Sequence, residues 1–267
     1  MSSTIVREIS REMKRNSNAK YKKTLQTFFK EPIQVYGVRT PVWRRITGEY
    51  WQRVKALPKA EVFKLCEELL AIGNGEERGA AFDWAFRMGR RESHVLLSKQ
   101  FLGTKVTKRR NQDGLSAEDF PRLERWLKTY VSNWGSCDSF CGGALGHFLL
   151  DHPEFLPSVR KWAKSPNRWL RRAAAVCHII PNRNGVALDH AFEVADMLLE
   201  DDDDMVQKGY GWMLKEIANR DQRRVFEFVM ARRDRMPRTA LRYAIEKMPA
   251  SLKNRAMARK TTRTNTD

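Results

Sequence analysis

The stretch Asp203-Asp204-Met205-Val206-Gln207-Lys208-Gly209-Tyr210-Gly211-Trp212-Met213-Leu214-Lys215-Glu216-Ile217-Ala218 decides how the rest of the chain is read. Val206, Tyr210, Met213, Leu214 and Ile217 return every three or four positions, which is the period of one buried face of an α-helix. At about 100° per residue, Trp212 falls well off that stripe, next to the side carrying Lys208 and Lys215. Gly209 and Gly211 are small residues of the kind that let neighbouring helices approach closely.

The same period recurs on both sides of this helix. Val62, Leu65, Cys66, Leu69 and Leu70 form one stripe, Phe120, Leu123, Trp126, Leu127, Tyr130 and Val131 a second, and Phe155, Leu156, Val159, Trp162 and Ala163 a third. Turn signals separate them, among them Gly73-Asn74-Gly75, His152-Pro153, Ser165-Pro166-Asn167 and Pro181-Asn182-Arg183-Asn184-Gly185. No segment alternates with period two, so the fold class is all-α. The helices also repeat: Glu77-Arg78-Gly79-Ala80-Ala81, Arg171-Arg172-Ala173-Ala174-Ala175 and Gln207-Lys208-Gly209-Tyr210-Gly211 share a basic residue followed by small ones. Arg172 and Lys208 are thirty-six positions apart, and Ser136 precedes Arg172 by the same interval. That period suits antiparallel helix pairs stacked into a solenoid, whose concave face is an extended binding surface. The expected organisation is one repeat domain over 1–252 and a polar, basic, disordered tail over 253–267.

Fifty Lys and Arg against thirty-two Asp and Glu give a formal charge of +18, and residues 1–60 alone hold fourteen basic and four acidic side chains. Such an excess points to a polyanionic partner, because each neutralised phosphate releases condensed counterions. The acidic run Glu200-Asp201-Asp202-Asp203-Asp204 reads as a solvated loop feeding a helix N-terminus. Cys66, Cys137, Cys141 and Cys177 complete no zinc pattern and read as reduced, mostly buried thiols, so no metal and no disulfide is expected. No run has the roughly eighteen apolar residues of a membrane span, and the charged N-terminus lacks the apolar centre of a secretory signal. The expectation is a cytoplasmic protein, associated with the nucleoid through DNA.

Four residues depart from simple core logic. Trp212 points toward a basic face, as a stacking platform would, or packs against the neighbouring repeat. Asp138 falls near the stripe Cys141, Ala144, Leu145, Phe148 and Leu149 of a helix read over 138–150, and an inward carboxylate needs partners or a purpose. Its place in a first turn, favoured by the helix dipole, is the competing explanation. Trp134 shares a face with Asp138 if the helix starts early, and sits outside it if Ser136 is the cap. Arg172, beside Leu170, Ala173 and Cys177, clamps a phosphate or is a solvated arginine. The stretch 103–114 holds Lys105, Lys108, Arg109 and Arg110 against one acid, and reads either as a surface loop or as a basic loop reaching bound DNA.

The segments Asn133-Trp134-Gly135-Ser136-Cys137-Asp138-Ser139, His152-Pro153-Glu154, Lys161-Trp162 and Trp169-Leu170-Arg171-Arg172-Ala173-Ala174 resemble the central block of the AlkD-like DNA glycosylases. Residues 207–216 are similar to that family's next repeat, and Tyr36-Gly37-Val38-Arg39-Thr40-Pro41 to the segment ending its first helices. The likeness runs from about residue 20 to 250 and is strongest over 133–216. It implies a HEAT-like repeat solenoid with a basic concave DNA-binding face. It also implies that Trp134, Asp138, Arg172 and Trp212 are the family's active-site tryptophan, aspartate, arginine and second tryptophan, with Arg172, Lys208, Lys215 and the basic loop contacting DNA. The family places an aromatic near its N-terminus in the cleft, and Tyr21 is the nearest candidate here, at a longer spacing from Gly37. The stretch 103–118 stands as an insertion relative to the family.

The activity so implied is hydrolysis of the N-glycosidic bond of N3- or N7-alkylated purines in duplex DNA, by a monomer, without cofactor, deep base flipping or lyase chemistry. A positively charged base is already a good leaving group, so a fixed carboxylate that stabilises the oxocarbenium-like sugar is enough. The alternatives are a non-catalytic module for branched or distorted DNA and a helical scaffold for protein or RNA.

Overall fold

Helix starts follow the capping chemistry written into the chain. In this computed structural model, which describes residues 3–89 and 114–258, the Ser3 hydroxyl accepts the Val6 N–H to open α1 (Thr4–Arg15). The Asn18 side chain accepts the Tyr21 N–H at 2.8 Å to open α2 (Ala19–Gln26). Prolines sit at the start of α3 (Thr40–Val54) and just before α4 (Lys59–Ile72), where a missing N–H costs nothing. Helix α4 ends on Gly73 at φ +80°, a left-handed cap that favours glycine. Then come α5 (Gly75–Gly89), a 3₁₀ turn at Ala117–Asp119 leading into α6 (Phe120–Tyr130), α7 (Trp134–Phe140), a π-turn at Cys141–Leu145 and α8 (Gly146–Asp151). The remainder runs through α9 (Leu156–Lys161), α10 (Arg168–Val176), α11 (Ile179–Arg183), α12 (Leu188–Met197), α13 (Asp204–Ala218), α14 (Gln222–Arg232), α15 (Arg238–Ala244) and α16 (Ala250–Met257). The described residues contain no strand, so the protein is all-α, and no helix among them is long and apolar enough to cross a membrane.

By its internal contacts the chain divides into two compact units, Met1–Phe148 and Leu149–Asp267, a boundary that repeat periodicity does not mark. In the first unit α4 packs along α5, and α5 packs on α3, α7 and the π-turn. Trp84, Trp126, Phe63, Phe82 and Phe140 fill its interior, with Phe82 and Phe140 stacked at 4.4 Å. A carboxylate–guanidinium pair, Asp83 and Arg87 at 2.7 Å, is enclosed in the same unit with both side chains under 10% exposed. In the second unit α13 is the central element, packed against α10, α11, α12, α14 and α15. All five residues of its apolar stripe are fully buried, each worth on the order of 1.5–3 kcal/mol of transfer free energy. The glycines beside the stripe do what close packing requires. A Cβ on Gly211 would lie 2.7 Å from Tyr243 Cβ and 2.8 Å from the Ala240 carbonyl oxygen, so α15 approaches only because that atom is missing.

Three boundaries differ from the sequence reading. The helix read as continuous over 138–150 begins earlier, at Trp134, and is interrupted by the π-turn, in which Gly143 has φ −100° and ψ −110°. The His147 ring nitrogen Nδ1 lies 2.9 Å from the Gly143 carbonyl. The tail read as disordered from Lys253 starts inside α16. There Ala256 is buried and the Arg255 guanidinium lies over the Phe226 ring at 5.1 Å, so packing onto α14 holds the segment in place. The far end of the 103–118 stretch also belongs to the fold: Leu115 is buried, and Lys59 Nζ reaches Ser116 Oγ at 3.2 Å and Asp119 at 3.0 Å.

Candidate functional site

Residue 134 enters the helix because residue 133 caps it. The Asn133 side-chain oxygen accepts the Ser136 N–H at 2.8 Å, and Ser136 Oγ accepts the Asn133 N–H at 3.3 Å, a reciprocal capping box. Of the two starts that the sequence left open, the early one holds. Trp134 is the first residue of α7 and Asp138 the fifth, one turn on and on the same face. Asp138 therefore lies beyond the first turn, and the helix N-terminus does not explain its presence there.

The Trp134 indole is fixed by two neighbours that the sequence did not single out. Its ring stacks on Phe29 with centroids 4.8 Å apart and planes inclined by 14°, and its Nε1 donates to the Phe28 carbonyl at 3.1 Å. Gly135 makes room for this contact, since a Cβ there would meet Phe29 at 3.1 Å. Trp134 and Asp138 both remain partly open to solvent, and the Phe28 ring is 64% exposed. A pair of phenylalanines immediately before the Lys30-Glu31-Pro32 turn was the available signal, an apolar pair in a polar stretch with no helical stripe to absorb it.

In the second unit, Arg172 projects from α10, whose start Asn167 caps by accepting the Trp169 N–H at 2.8 Å. Arg172 is only 5% exposed, and its Nη1 donates to the Met205 carbonyl at the start of α13. Gly209 leaves space for its aliphatic stem, which a Cβ would approach to 3.1 Å. The solvated-arginine alternative is thereby excluded. The preceding Arg171 has a different task, binding both carboxylate oxygens of Asp201 at 2.7 and 3.3 Å. The acidic run is accordingly not simply solvated: Asp201 is consumed by Arg171, Glu200 pairs with Arg235 at 2.7 Å, and Asp203 caps α13 by accepting the Met205 and Val206 N–H groups.

Helix α13 carries the remaining second-unit residues. Trp212, off the buried stripe as its spacing predicts, is half-buried and donates its Nε1 to Glu216 Oε1 at 3.1 Å. Glu216 is itself buried and receives Arg183 Nε and Nη2 at 3.0 and 2.8 Å and Asn219 Nδ2 at 3.2 Å. This carboxylate orients the tryptophan and was missed, because Glu216 four residues after Trp212 looks like any solvated acid on a helix. Lys208 pairs with Asp204 at 3.0 Å, and Lys215 pairs with Glu246 at 3.0 Å beside the Tyr243 ring. Partly exposed pairs of this kind are worth about 0–1 kcal/mol, so an incoming phosphate can displace either acid. Lys105, Lys108, Arg109 and Arg110 lie outside the described residues.

Tyr21 sits on α2 with the Arg39 guanidinium 5.4 Å from its ring centre, and lines a cavity in the first unit. All four cysteines are buried thiols outside any disulfide, and burial pushes the Cys66 thiol well above its ordinary range. Among the described residues no cluster of three or more His, Cys, Asp or Glu is placed to hold a metal ion.

A chain whose described residues are all-helical, with a half-exposed indole and carboxylate one turn apart on one helix and a strong basic excess, is of a kind that handles nucleic acid. Residues 9–248 match the family of DNA alkylation repair enzymes, and the chain belongs to that family. A solved structure described as a predicted DNA alkylation repair enzyme from Enterococcus faecalis superposes with a TM-score of 0.68 at 16% identity, covering 88% of this chain and 98% of that one. That likeness concerns the fold. Comparison with curated protein sequences finds no match.

Proposed function

We propose that this repair protein is a monofunctional glycosylase that hydrolyses the N-glycosidic bond of cationic N3- and N7-alkylated purines, such as 3-methyladenine and 7-methylguanine, in duplex DNA. The observation that carries the reading is the pairing of Trp134 and Asp138 one turn apart on the solvent-accessible face of α7, with the indole held rigid by Phe29 and Phe28.

The chemistry follows from the charge of the lesion. As the C1′–N bond breaks, its electron pair neutralises the alkylated base, which leaves without help from a general acid, and positive charge moves to the sugar. The Asp138 carboxylate stabilises that charge and orients the water whose oxygen bonds to C1′ and whose proton passes to solvent. The π-faces of Trp134 and Trp212 attract cationic groups, each worth about 0.5–2 kcal/mol according to desolvation. Trp212 acts in one orientation because Glu216 holds its N–H. Arg172 supplies a fixed positive charge for the phosphate backbone, and Lys208 and Lys215 exchange their intramolecular acids for phosphates. The modified base stays largely stacked, no lysine is assigned as a Schiff-base nucleophile, and the working form is a monomer without cofactor.

The test is the spectrum of bases released from duplex DNA that carries methylated purines and, separately, uracil and 1,N⁶-ethenoadenine. Release of 3-methyladenine and 7-methylguanine with no release of the uncharged bases supports the reading. Equal release of uncharged bases, or no release by folded, DNA-binding protein, rejects it.

A further inference from the structure

The first unit contains a cavity of about 580 Å³ that the proposed chemistry leaves unused. It opens between α2, α3, α5 and α7, and Phe29, the residue on which Trp134 stacks, forms part of its wall. The size is within the ~300–1,000 Å³ typical of small-molecule sites. Its apolar lining combines four aromatic rings, Tyr21, Phe29, Trp43 and Phe82, with aliphatic side chains such as Leu25 and Ile33. Trp43 is locked in place by its Nε1 donating to the Glu76 carbonyl at 3.0 Å. Flat walls of this kind suit a flat ligand.

The polar groups select further. Arg78 lines the cavity with Nη1 on Ser132 Oγ at 3.2 Å and Nη2 on the Gly73 carbonyl at 3.3 Å, while its Nε is buried with no hydrogen-bond partner. A buried donor without an acceptor among the protein's own groups is unusual. Gln34 and Ser139 add an amide and a hydroxyl to the lining. One carboxylate is present, that of Glu76, but its oxygens already accept the N–H groups of Tyr36, Gly37 and Val38 at 3.0, 2.8 and 3.1 Å. The charges of Arg78 and Glu76 cancel, and the Arg39 guanidinium already lies over the Tyr21 ring. The Glu76 carboxylate is therefore already engaged and gives a cationic ligand no counter-charge, and an anion finds no surplus of positive charge.

From these features we infer that the cavity is a binding site for an uncharged nucleobase, stacked among Tyr21, Phe29 and Trp43 and accepting hydrogen bonds from Arg78 and Gln34. The cationic alkylpurine is excluded from it. The occupant is either the base released by the reaction, which becomes neutral as the glycosidic bond breaks, or a neutral base of the strand, such as the lesion's pairing partner. The inference rests on the glycosylase reading for its link to the reaction.

The two sources are separated by two measurements on the full chain. The first is titration with free 7-methylguanine, followed by ligand-observed NMR. The second is photocross-linking of a duplex carrying 5-iodouracil opposite a stable abasic site, with the adduct mapped by mass spectrometry. Each is repeated with Ser139→Phe, which fills the cavity from an exposed position, and with Arg78→Met, folding being verified by circular dichroism. Saturable binding of the free base, weakened at least tenfold in both variants, assigns the site to the product. A cross-link on Tyr21, Phe29 or Trp43 that disappears with Ser139→Phe assigns it to a base of the strand. Absence of both signals, or signals unchanged by Ser139→Phe, overturns the inference. Base release from methylated DNA is scored in parallel: release without cavity occupancy removes this inference alone, whereas occupancy without release removes the glycosylase reading and leaves the nucleobase site standing.

Discussion

Substituting alanine for glycine in the middle of a helix ordinarily stabilises by about 0.8–1 kcal/mol, because glycine loses the most backbone entropy on folding. Two helical glycines of this protein are predicted to respond with opposite signs. A Cβ on Gly48 of α3 meets nothing within 4 Å, so Gly48→Ala collects the full gain, about 1 kcal/mol more stable than wild type. On Gly211 the same atom would sit 2.7 Å from Tyr243 Cβ, 2.8 Å from the Ala240 carbonyl oxygen and 3.2 Å from Ala240 Cα. None of these is the end of a flexible side chain, so α15 has to move as a body. Forcing a methyl group into such a contact costs about 3 kcal/mol, the upper part of the overpacking range, which less the ~1 kcal/mol of propensity leaves Gly211→Ala about 2 kcal/mol less stable. Urea unfolding of the three proteins, followed by circular dichroism, measures both shifts under one protocol. A Gly211→Ala protein as stable as wild type, or a Gly48→Ala protein clearly less stable, would refute the packing described for α13 and α15.

Other expectations follow from buried charge. Glu216→Ala removes the acceptor of Trp212 Nε1 and strands Arg183, whose side chain is 19% exposed, at a cost of about 3 kcal/mol. Glu216→Gln keeps the tryptophan's acceptor and is expected to retain most base release, so equal loss in both variants would contradict the orienting role given to Glu216. Asp83→Ala leaves Arg87 enclosed without its partner and should cost about 3–5 kcal/mol, while Asp83→Leu with Arg87→Met together should approach wild-type stability; a double variant no better than the single would show that the pair is not coupled. Burial, with a smaller contribution from His190, lowers the His178 pKa from 6.5 to about 4. The unfolded chain therefore takes up that proton first, so the contribution is fully present above about pH 6.5 and is lost as pH falls toward 4, about 3 kcal/mol in all. Unfolding midpoints measured from pH 7 to 4 should fall for wild type and much less for His178→Gln.

Much of this architecture is legible in the chain because burial is periodic. The α13 stripe and the close-packing glycines are local signals whose meaning does not depend on distant residues. The residues that complete the candidate site are of another kind. Phe29 meets Trp134 across more than one hundred positions, and Glu216 joins Trp212 to Arg183 on a separate helix. Such partners are set by how helices pack, and helical spacing carries no record of them. The π-turn was hidden for a related reason: Cys141, Ala144, Leu145, Phe148 and Leu149 are all buried as a regular helix would bury them, while the backbone departs from the α-helix at Gly143. The cavity beside Phe29 left no mark, since its lining comes from residues spread from 21 to 139.

The proposed chemistry turns on Asp138. Single-turnover release of 7-methylguanine from a duplex with one lesion, compared between wild type and Asp138→Asn at equal DNA saturation, tests it most directly. The reading predicts a fall on the order of 10²–10³ in rate with binding retained, the usual loss when one preorganised stabilising group is removed from a transition state. Equal rates would contradict it.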